Sequence, residues 1–315
     1  MNLAHYGLYF SPSQVDAAQQ HADSEPFASA WQYLRGHQPH GAVAALWGGL
    51  RWRLTHSADS AAIGAEIGLR SIDPALMEGL ALIDALRQTT MLAHAFELTR
   101  DFPGFEAADQ ARWRDAFWER VAQLNTKVFE PRIHERCWLL LLNLVAGIVL
   151  EREPIIEEAC AAFQRIIAEQ VSPRGYIESA VMGKDGGAMY RQIASASALV
   201  LTAEAAAHIG IDLWGYQVRG VAVTTTAVYP IYYFYTTEKW KWDADYPVED
   251  VQALFREFGG YLEMVARRMS ALGTTPSKDI QVVLADLRPV FDAYGGGLTT
   301  LTHALPEKKR RGLFG

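Results

Sequence analysis

Residues 133–150 of this chain, IHERCWLLLLNLVAGIVL, constrain everything packed around them. After Arg136 the stretch is apolar on nearly every side, and Asn143 is the one interruption. A helix with one apolar stripe lies on a surface; a helix apolar all round must be enclosed. A bilayer would enclose it, but spanning one takes about 20 apolar residues, more than run from 138 to 150. The stretch is therefore expected as a helix buried inside a larger assembly.

Helix signals dominate the rest of the chain. Ser11-Pro12-Ser13-Gln14 reads as an N-cap, a proline at the first helical position and a capping-box glutamine. Helical periodicity follows over 26–35, 43–55, 60–71, 107–128 and 154–170. Asp73-Pro74 reads as a cap and first-turn proline for one long helix over 75–100. Further helices are expected over 192–208, 248–269 and 277–287. The stretch 221–237 is ambiguous: its β-branched and aromatic residues favour strand, while its length and neighbours favour helix, the reading adopted. Tyr294-Gly295-Gly296-Gly297 reads as loop.

No period of 30–50 residues repeats, which argues against a solenoid with a sequence signature. Roughly a dozen consecutive helices with short connectors pack as antiparallel pairs. Such pairs close most simply into a ring, so the expected class is all-α, an (α/α) toroid with a cleft at one end. No linker rich in Pro, Gly or Ser divides the chain, so one domain is expected over 1–305, with a basic tail over 306–315. The Lys308-Lys309-Arg310-Arg311 run in that tail is read as a solvated terminus.

A net charge of −7 argues against nucleic acid as a partner, although an acidic substrate can still enter a locally basic cleft. Cys137 and Cys160 have neither CxxC nor Cys/His ligand spacing and are expected as structural thiols. No metal or cofactor is expected. The first residues lack the basic and apolar segments of a secretory signal, so a soluble, cytoplasmic protein without membrane contact is expected.

Three constellations carry chemistry. Arg132-Ile133-His134-Glu135-Arg136 opens the apolar helix, where two arginines, a histidine and the helix dipole suit a carboxylate. The same residues also make an ordinary exposed helix start. Lys184-Asp185-Gly186-Gly187-Ala188-Met189-Tyr190-Arg191 places a tyrosine between cations beside paired glycines. Glycines let backbone approach a ligand, and cations favour the phenolate of a group whose usual pKa is about 10. Packing of Tyr190 against the next helix is the alternative. Trp214, Trp240 and Trp242 lead a set of aromatics that suit stacking on sugar rings or simple packing. Glu178 and Glu204 are a candidate carboxylate pair for glycoside hydrolysis, which needs about 6.5–9.5 Å between them in an inverting enzyme. Neither GxSxG, HExxH, GxGxxG nor an EF-hand loop occurs.

Three segments in order resemble the alginate-lyase-like polysaccharide lyases: SPSQVDAAQQHADSEPFASAWQYLR from Ser11, ESAVMGKDGGAMYRQIASASALVLTAEAAAHIGIDLW from Glu178, and LRPVFDAYGGGLTTL from Leu287. The resemblance implies an incomplete (α/α) toroid and β-elimination on a 4-linked uronic acid glycan. It implies Tyr190 as acid and possibly base, and His134 as base or carboxylate neutraliser. Lys184 and Arg136 are then expected as electrostatic stabilisers, with Arg132, Arg191, Trp214, Trp240 and Trp242 on the substrate. The pattern departs from the family where Arg132 and Ile133 replace neutralising asparagines and where Met182 replaces an arginine. Those departures keep a second reading open, a degenerate toroid that binds carbohydrate or acts as a scaffold.

Overall fold

The computed structural model describes residues 5–127, 130–271 and 278–306. Among them the regular structure is almost entirely helical. The first half holds α1 (Pro12–Gln20), α2 (Phe27–Gly36), α3 (Val43–Thr55), α4 (Ala58–Ser71), α5 (Leu82–Thr99), α6 (Ala107–Lys127) and α7 (Ile133–Val149). The second half holds α8 (Glu153–Gln170), α9 (Glu178–Val181), α10 (Ala188–His208), α11 (Val223–Val228), α12 (Val248–Phe258), α13 (Gly260–Ala271), α14 (Lys278–Leu287) and α15 (Thr299–His303). Two short antiparallel strands, β1 (Phe291–Asp292) and β2 (Gly297–Leu298), form a hairpin before α15.

Hydrophobic patterning sorts the helices into two layers. α10 is buried along nearly its whole length and on all sides, and α7 on all but one stripe, where Arg136, Leu139 and Asn143 reach the surface. α3, α5, α7, α10 and α13 pack side by side in that order as an inner wall. α4, α6 and α8 cover the wall from outside, and each buries only one face. In α8 that face is Ile156, Ala159, Phe163, Ile166 and Ile167, the spacing of a single apolar stripe. The last described helix returns to the first: the Gln14 side chain donates to the Thr302 carbonyl at 2.9 Å, and His303 Nε2 lies 2.9 Å from the Tyr9 carbonyl. The result is the incomplete (α/α) toroid expected from the sequence.

Several local expectations change. The run 75–100 is not one helix. Its start is a 3₁₀ turn, Pro74–Met77, capped by Asp73, and Gly79 at φ 78° breaks the chain before α5. The run 248–269 is divided at Gly259 into α12 and α13. The ambiguous stretch 221–237 is helical but short: α11 tightens into a 3₁₀ segment, Tyr229–Tyr233, where Pro230 removes a backbone donor. The glycine loop expected at 294–297 forms the turn of the β1–β2 hairpin, with Gly297 opening β2 opposite Asp292. The helix expected over 192–208 starts earlier, at Ala188, so Tyr190 and Arg191 lie in its first turn. Cys137 is buried and Cys160 half-buried, and both are free thiols. No helix among the described residues is long and apolar enough to cross a membrane. The 308–311 run lies outside the described residues.

The α3–α4 crossing depends on glycine. A Cβ on Gly48 would sit 2.5 Å from the Ser60 carbonyl oxygen and 2.7 Å from Gly64 Cα, backbone atoms that cannot rotate away. Gly48→Ala is expected to cost about 1–3 kcal/mol in chemical denaturation, the usual penalty of overpacking. Gly36→Ala, with nothing within 4 Å of the added carbon, is expected to leave stability unchanged or slightly raised.

Candidate active site

The candidate site forms where the N-terminal ends of α7 and α10 lie side by side. The start of α10 is held by side chains from two loops. Asp243 Oδ2 accepts from the Ala188 amide at 2.8 Å, and the Tyr246 hydroxyl donates to the Gly186 carbonyl at 2.6 Å. Arg191 reaches back from α10 and donates to both Asp185 carboxylate oxygens, at 2.8 and 2.9 Å, and from Nε to the Ala180 carbonyl at 2.9 Å. Its guanidinium lowers the Asp185 pKa from the ordinary value. A Cβ on Gly183 or Gly187 would lie 2.6 or 2.7 Å from that guanidinium. These glycines therefore seat Arg191, rather than opening the backbone to a ligand.

That framework aims Tyr190 at His134. Their ring centroids are 5.3 Å apart in an edge-to-face arrangement, and Phe258 packs on Tyr190 at 5.6 Å. One turn further along both helices, Trp138 Nε1 donates to the Ala194 carbonyl at 3.1 Å. The bond sets the register of α7 on α10 immediately beneath the pair. His134 is buried, and its Nδ1 has no partner among the described residues. Burial, reinforced by Arg132 and Arg191, lowers its pKa to about 4. Tyr190 is half-buried, and burial raises its pKa above the ordinary phenol value. At neutral pH both groups are uncharged: the tyrosine keeps its proton and the imidazole has none to spare beyond its neutral form.

The cation acting on Tyr190 is one that the sequence reading missed. Arg87, on α5, opposes the rise in the tyrosine pKa, while Glu257, Asp84 and Glu135 add to it. Arg87 is buried beneath three aromatic rings: its guanidinium carbon lies 4.2 Å from the Phe258 centroid, 4.4 Å from Tyr294 and 5.6 Å from Trp138. Nη1 donates to Glu257, but Nε and Nη2 are buried without a partner among the described residues. Aromatic faces attract a guanidinium without consuming its donors, so Arg87 keeps the N–H groups of two nitrogens unspent. Asp292, also missed, is buried and accepts from the amides of Gly260, Tyr294 and Gly295, fixing the hairpin that carries Tyr294. Burial pushes its pKa up to about 6. Arg87 has little prominence in the sequence, because the same helical run also carries Asp84, Gln88, His94 and Glu97.

The structure brings together only part of the expected set. Lys184 is exposed on the loop before α10, and Arg136 is exposed on the outward face of α7, two positions past the inward-facing His134. Neither supplies the positive charge at Tyr190. Arg132 is exposed at the N-cap of α7, where its amide donates to Glu135, and its charge is felt by His134. Arg191 donates from Nε and Nη1 to Ala180 and Asp185, as described above, and its Nη2 is buried without a partner among the described residues. Trp240 is buried, donating to Asp243 at 3.0 Å, and Trp242 is half-buried, donating to the Tyr229 hydroxyl at 3.0 Å and packing on Tyr176. Both brace the loop that caps α10. Trp214 lies beyond the far end of α10, bonded to Glu204, and does not reach the site. Glu178 adjoins the start of α10, while Glu204 lies twelve residues past Gln192, roughly 18 Å along the helix axis. That separation removes them as a glycosidase pair.

The sequence profile described as alginate lyase matches residues 61–240. No curated protein matches the chain in sequence. Among solved structures, a tyrosine-to-phenylalanine variant of alginate lyase A1-III complexed with a tetrasaccharide superposes with a TM-score of 0.72 at 11% identity, covering 96% of each chain. Alginate lyase A1-III from Sphingomonas species A1 gives 0.64 at 14% identity over 84% of this chain and 75% of that one. An alginate lyase from Bacteroides ovatus gives 0.65 at 13% identity over 96% of this chain and all of that one, 100%. At these identities the superpositions speak for the fold.

The buried imidazole generates a prediction. His134 is expected to titrate near pH 4 in NMR spectra of the folded protein, and a midpoint near 6.5 contradicts the assignment. Because folding favours the neutral ring, its contribution to stability is complete above pH 6.5 and is lost as the pH falls toward 4.

Proposed function

This chain belongs to the alginate lyase family, and from that premise we propose that it is a polysaccharide lyase cleaving a 4-linked uronic acid glycan by β-elimination. The observation that carries the reading is the meeting of Tyr190 and His134 edge to face, with the underused guanidinium of Arg87 acting on the same tyrosine.

The chemistry follows from the protonation states. A uronate C5 proton becomes acidic only when the neighbouring carboxylate is neutralised. Arg87 has two unpartnered nitrogens that the aromatic cage encloses, so a carboxylate reaches them by displacing part of that cage, and a charge-assisted bond made there, shielded from water, is strong. His134, neutral at working pH, takes the C5 proton. Its Nδ1 is buried, which leaves Nε2 as the nitrogen open to a ligand. The C5 electron pair forms the C4–C5 double bond as the C4–oxygen bond breaks. Tyr190, which burial keeps protonated, gives its proton to the departing glycosidic oxygen. The products are a chain with a new reducing end and a chain ending in an unsaturated uronate. Arg87 thus takes the part that the sequence reading gave to Lys184 and Arg136.

Two of the similar structures are variants of alginate lyase A1-III, one replacing a tyrosine and one a histidine, and each is complexed with a tetrasaccharide. Tyrosine and histidine are the residue types that meet here, which supports an oligosaccharide as the ligand of this site.

Incubation with alginate, glucuronan and glycosaminoglycans, followed by absorbance of the unsaturated uronate, tests the reading. Turnover is expected on at least one of them. Tyr190→Phe is expected to lower kcat by about 10²-fold or more, the contribution of a positioned acid. Arg87→Gln is expected to weaken kcat/KM by a similar factor. Binding without turnover by the wild type would instead assign the toroid as a glycan-binding module, and neither binding nor turnover would refute both.

A further inference from the structure

Three residues marked by the sequence have no part in the cleft: Arg132, Arg136 and Asn143. All lie on the outward side of α7, at the spacing of one helix face. Arg136 and Asn143 line a groove between α7 and α8 that also contains Arg165. The groove has no closed ends. Toward the mouth of the toroid, Pro131 and Arg136 continue into a depression lined by Arg132, Gly183 and Arg191. Away from the mouth, Asn143 and Arg165 continue into a hollow that reaches Asn125 and Trp118 on α6. One track therefore runs from the rim of the candidate active site down the outer wall.

Its chemistry is that of a carbohydrate track. The floor is apolar, from Leu140 and Ala162, and the sides carry polar groups with capacity left over. The Asn125 and Asn143 amides bond each other in both directions, at 2.9 and 3.1 Å. Asn143 has one amide N–H still free, and both amide oxygens have a lone pair in reserve. Arg132, Arg136 and Arg165 are exposed, and none closes an ion pair among the described residues. Glu158, Glu169 and Asp185 also line the track, with Asp185 paired to Arg191, so the three exposed arginines leave it a small net positive charge on a chain of −7, and Arg132 and Arg136 lie one turn, about 6 Å, apart. Trp118 presents a half-buried indole at the far end, with Arg152 stacked on it at 4.2 Å.

We propose that this outer groove is a second glycan-binding site, which holds a segment of an acidic polysaccharide outside the cleft, with uronate carboxylates on Arg132, Arg136 and Arg165 and sugar hydroxyls on the paired asparagines. The inference rests on the reading of the substrate as an acidic glycan. It makes the protein bivalent for a long chain and monovalent for a short one, so the second contact raises affinity by effective concentration alone.

Arg165→Glu and Asn143→Ala, made separately in the full chain, test it by calorimetric titration with polymeric alginate and with an alginate trisaccharide. Arg165 is exposed and closes no ion pair among the described residues, so its variant is expected to melt as the wild type does. Each variant is expected to bind the polymer about tenfold more weakly, with trisaccharide binding and turnover unchanged. In the wild type the advantage of polymer over trisaccharide is expected to shrink as salt rises. Polymer binding equal to that of the wild type overturns the proposal, as does an equal weakening for polymer and trisaccharide. If the wild type cleaves the trisaccharide but binds the polymer no more tightly, the outer site fails and the lyase reading stands. If it neither binds nor cleaves either glycan, both fail.

Discussion

The bond from the Trp138 indole to the Ala194 carbonyl holds the candidate site in register. A buried indole N–H needs a partner, and this one finds it on the neighbouring inner helix. Trp138 is one turn from His134, and Ala194 is one turn from Tyr190, so fixing one contact fixes the other. α7 and α10 can lie this close because α10 is built from alanine and serine through its centre. α10 is enclosed on all sides and α7 on all but its outward stripe, so the contact exists only when the surrounding helices have closed. In this way an apolar sequence requirement, burial of α7, becomes a geometric one at the mouth of the ring.

Above that contact the electrostatics divide the work. His134 and Tyr190 are both driven to their neutral forms by burial, which suits proton transfer better than charge stabilisation. The charge comes from Arg87, caged by Phe258, Tyr294 and Trp138. The cage protects the guanidinium from water without using its hydrogen bonds, and Glu257 offsets part of the cost of burying it. A uronate carboxylate arriving at Arg87 would offer its guanidinium the same kind of partner that Glu257 already does.

The fold was legible because its signals are local and repeated. Capping residues, first-turn prolines and the 3.6-residue period placed α1 to α4 and α6 to α8 within a few residues of their ends. Where boundaries moved, a single residue decided: Gly79 broke one run and Gly259 another. The site was legible only along its own helices. His134 and Tyr190 could be marked because each opens a helix beside unusual neighbours. Lys184 and Arg136 were drawn in by nearness in sequence, yet positions two apart on a helix face nearly opposite ways, and Arg136 points outward. Arg87 was missed for the converse reason. It is about a hundred residues from Tyr190 in sequence, and its arrival depends on the ring order α5, α7, α10. Trp214 shows the same limit, since a helix of 21 residues separates its end of α10 from the site.

The central claim is that Arg87, His134 and Tyr190 converge on one uronate residue. A crystal structure of the protein with a bound uronate tetrasaccharide tests it most directly. The account predicts a carboxylate within hydrogen-bonding distance of Arg87, with His134 and Tyr190 flanking the C5 hydrogen and the glycosidic oxygen of the same sugar. A tetrasaccharide bound with no carboxylate near Arg87, or with His134 and Tyr190 touching no common sugar, would contradict it.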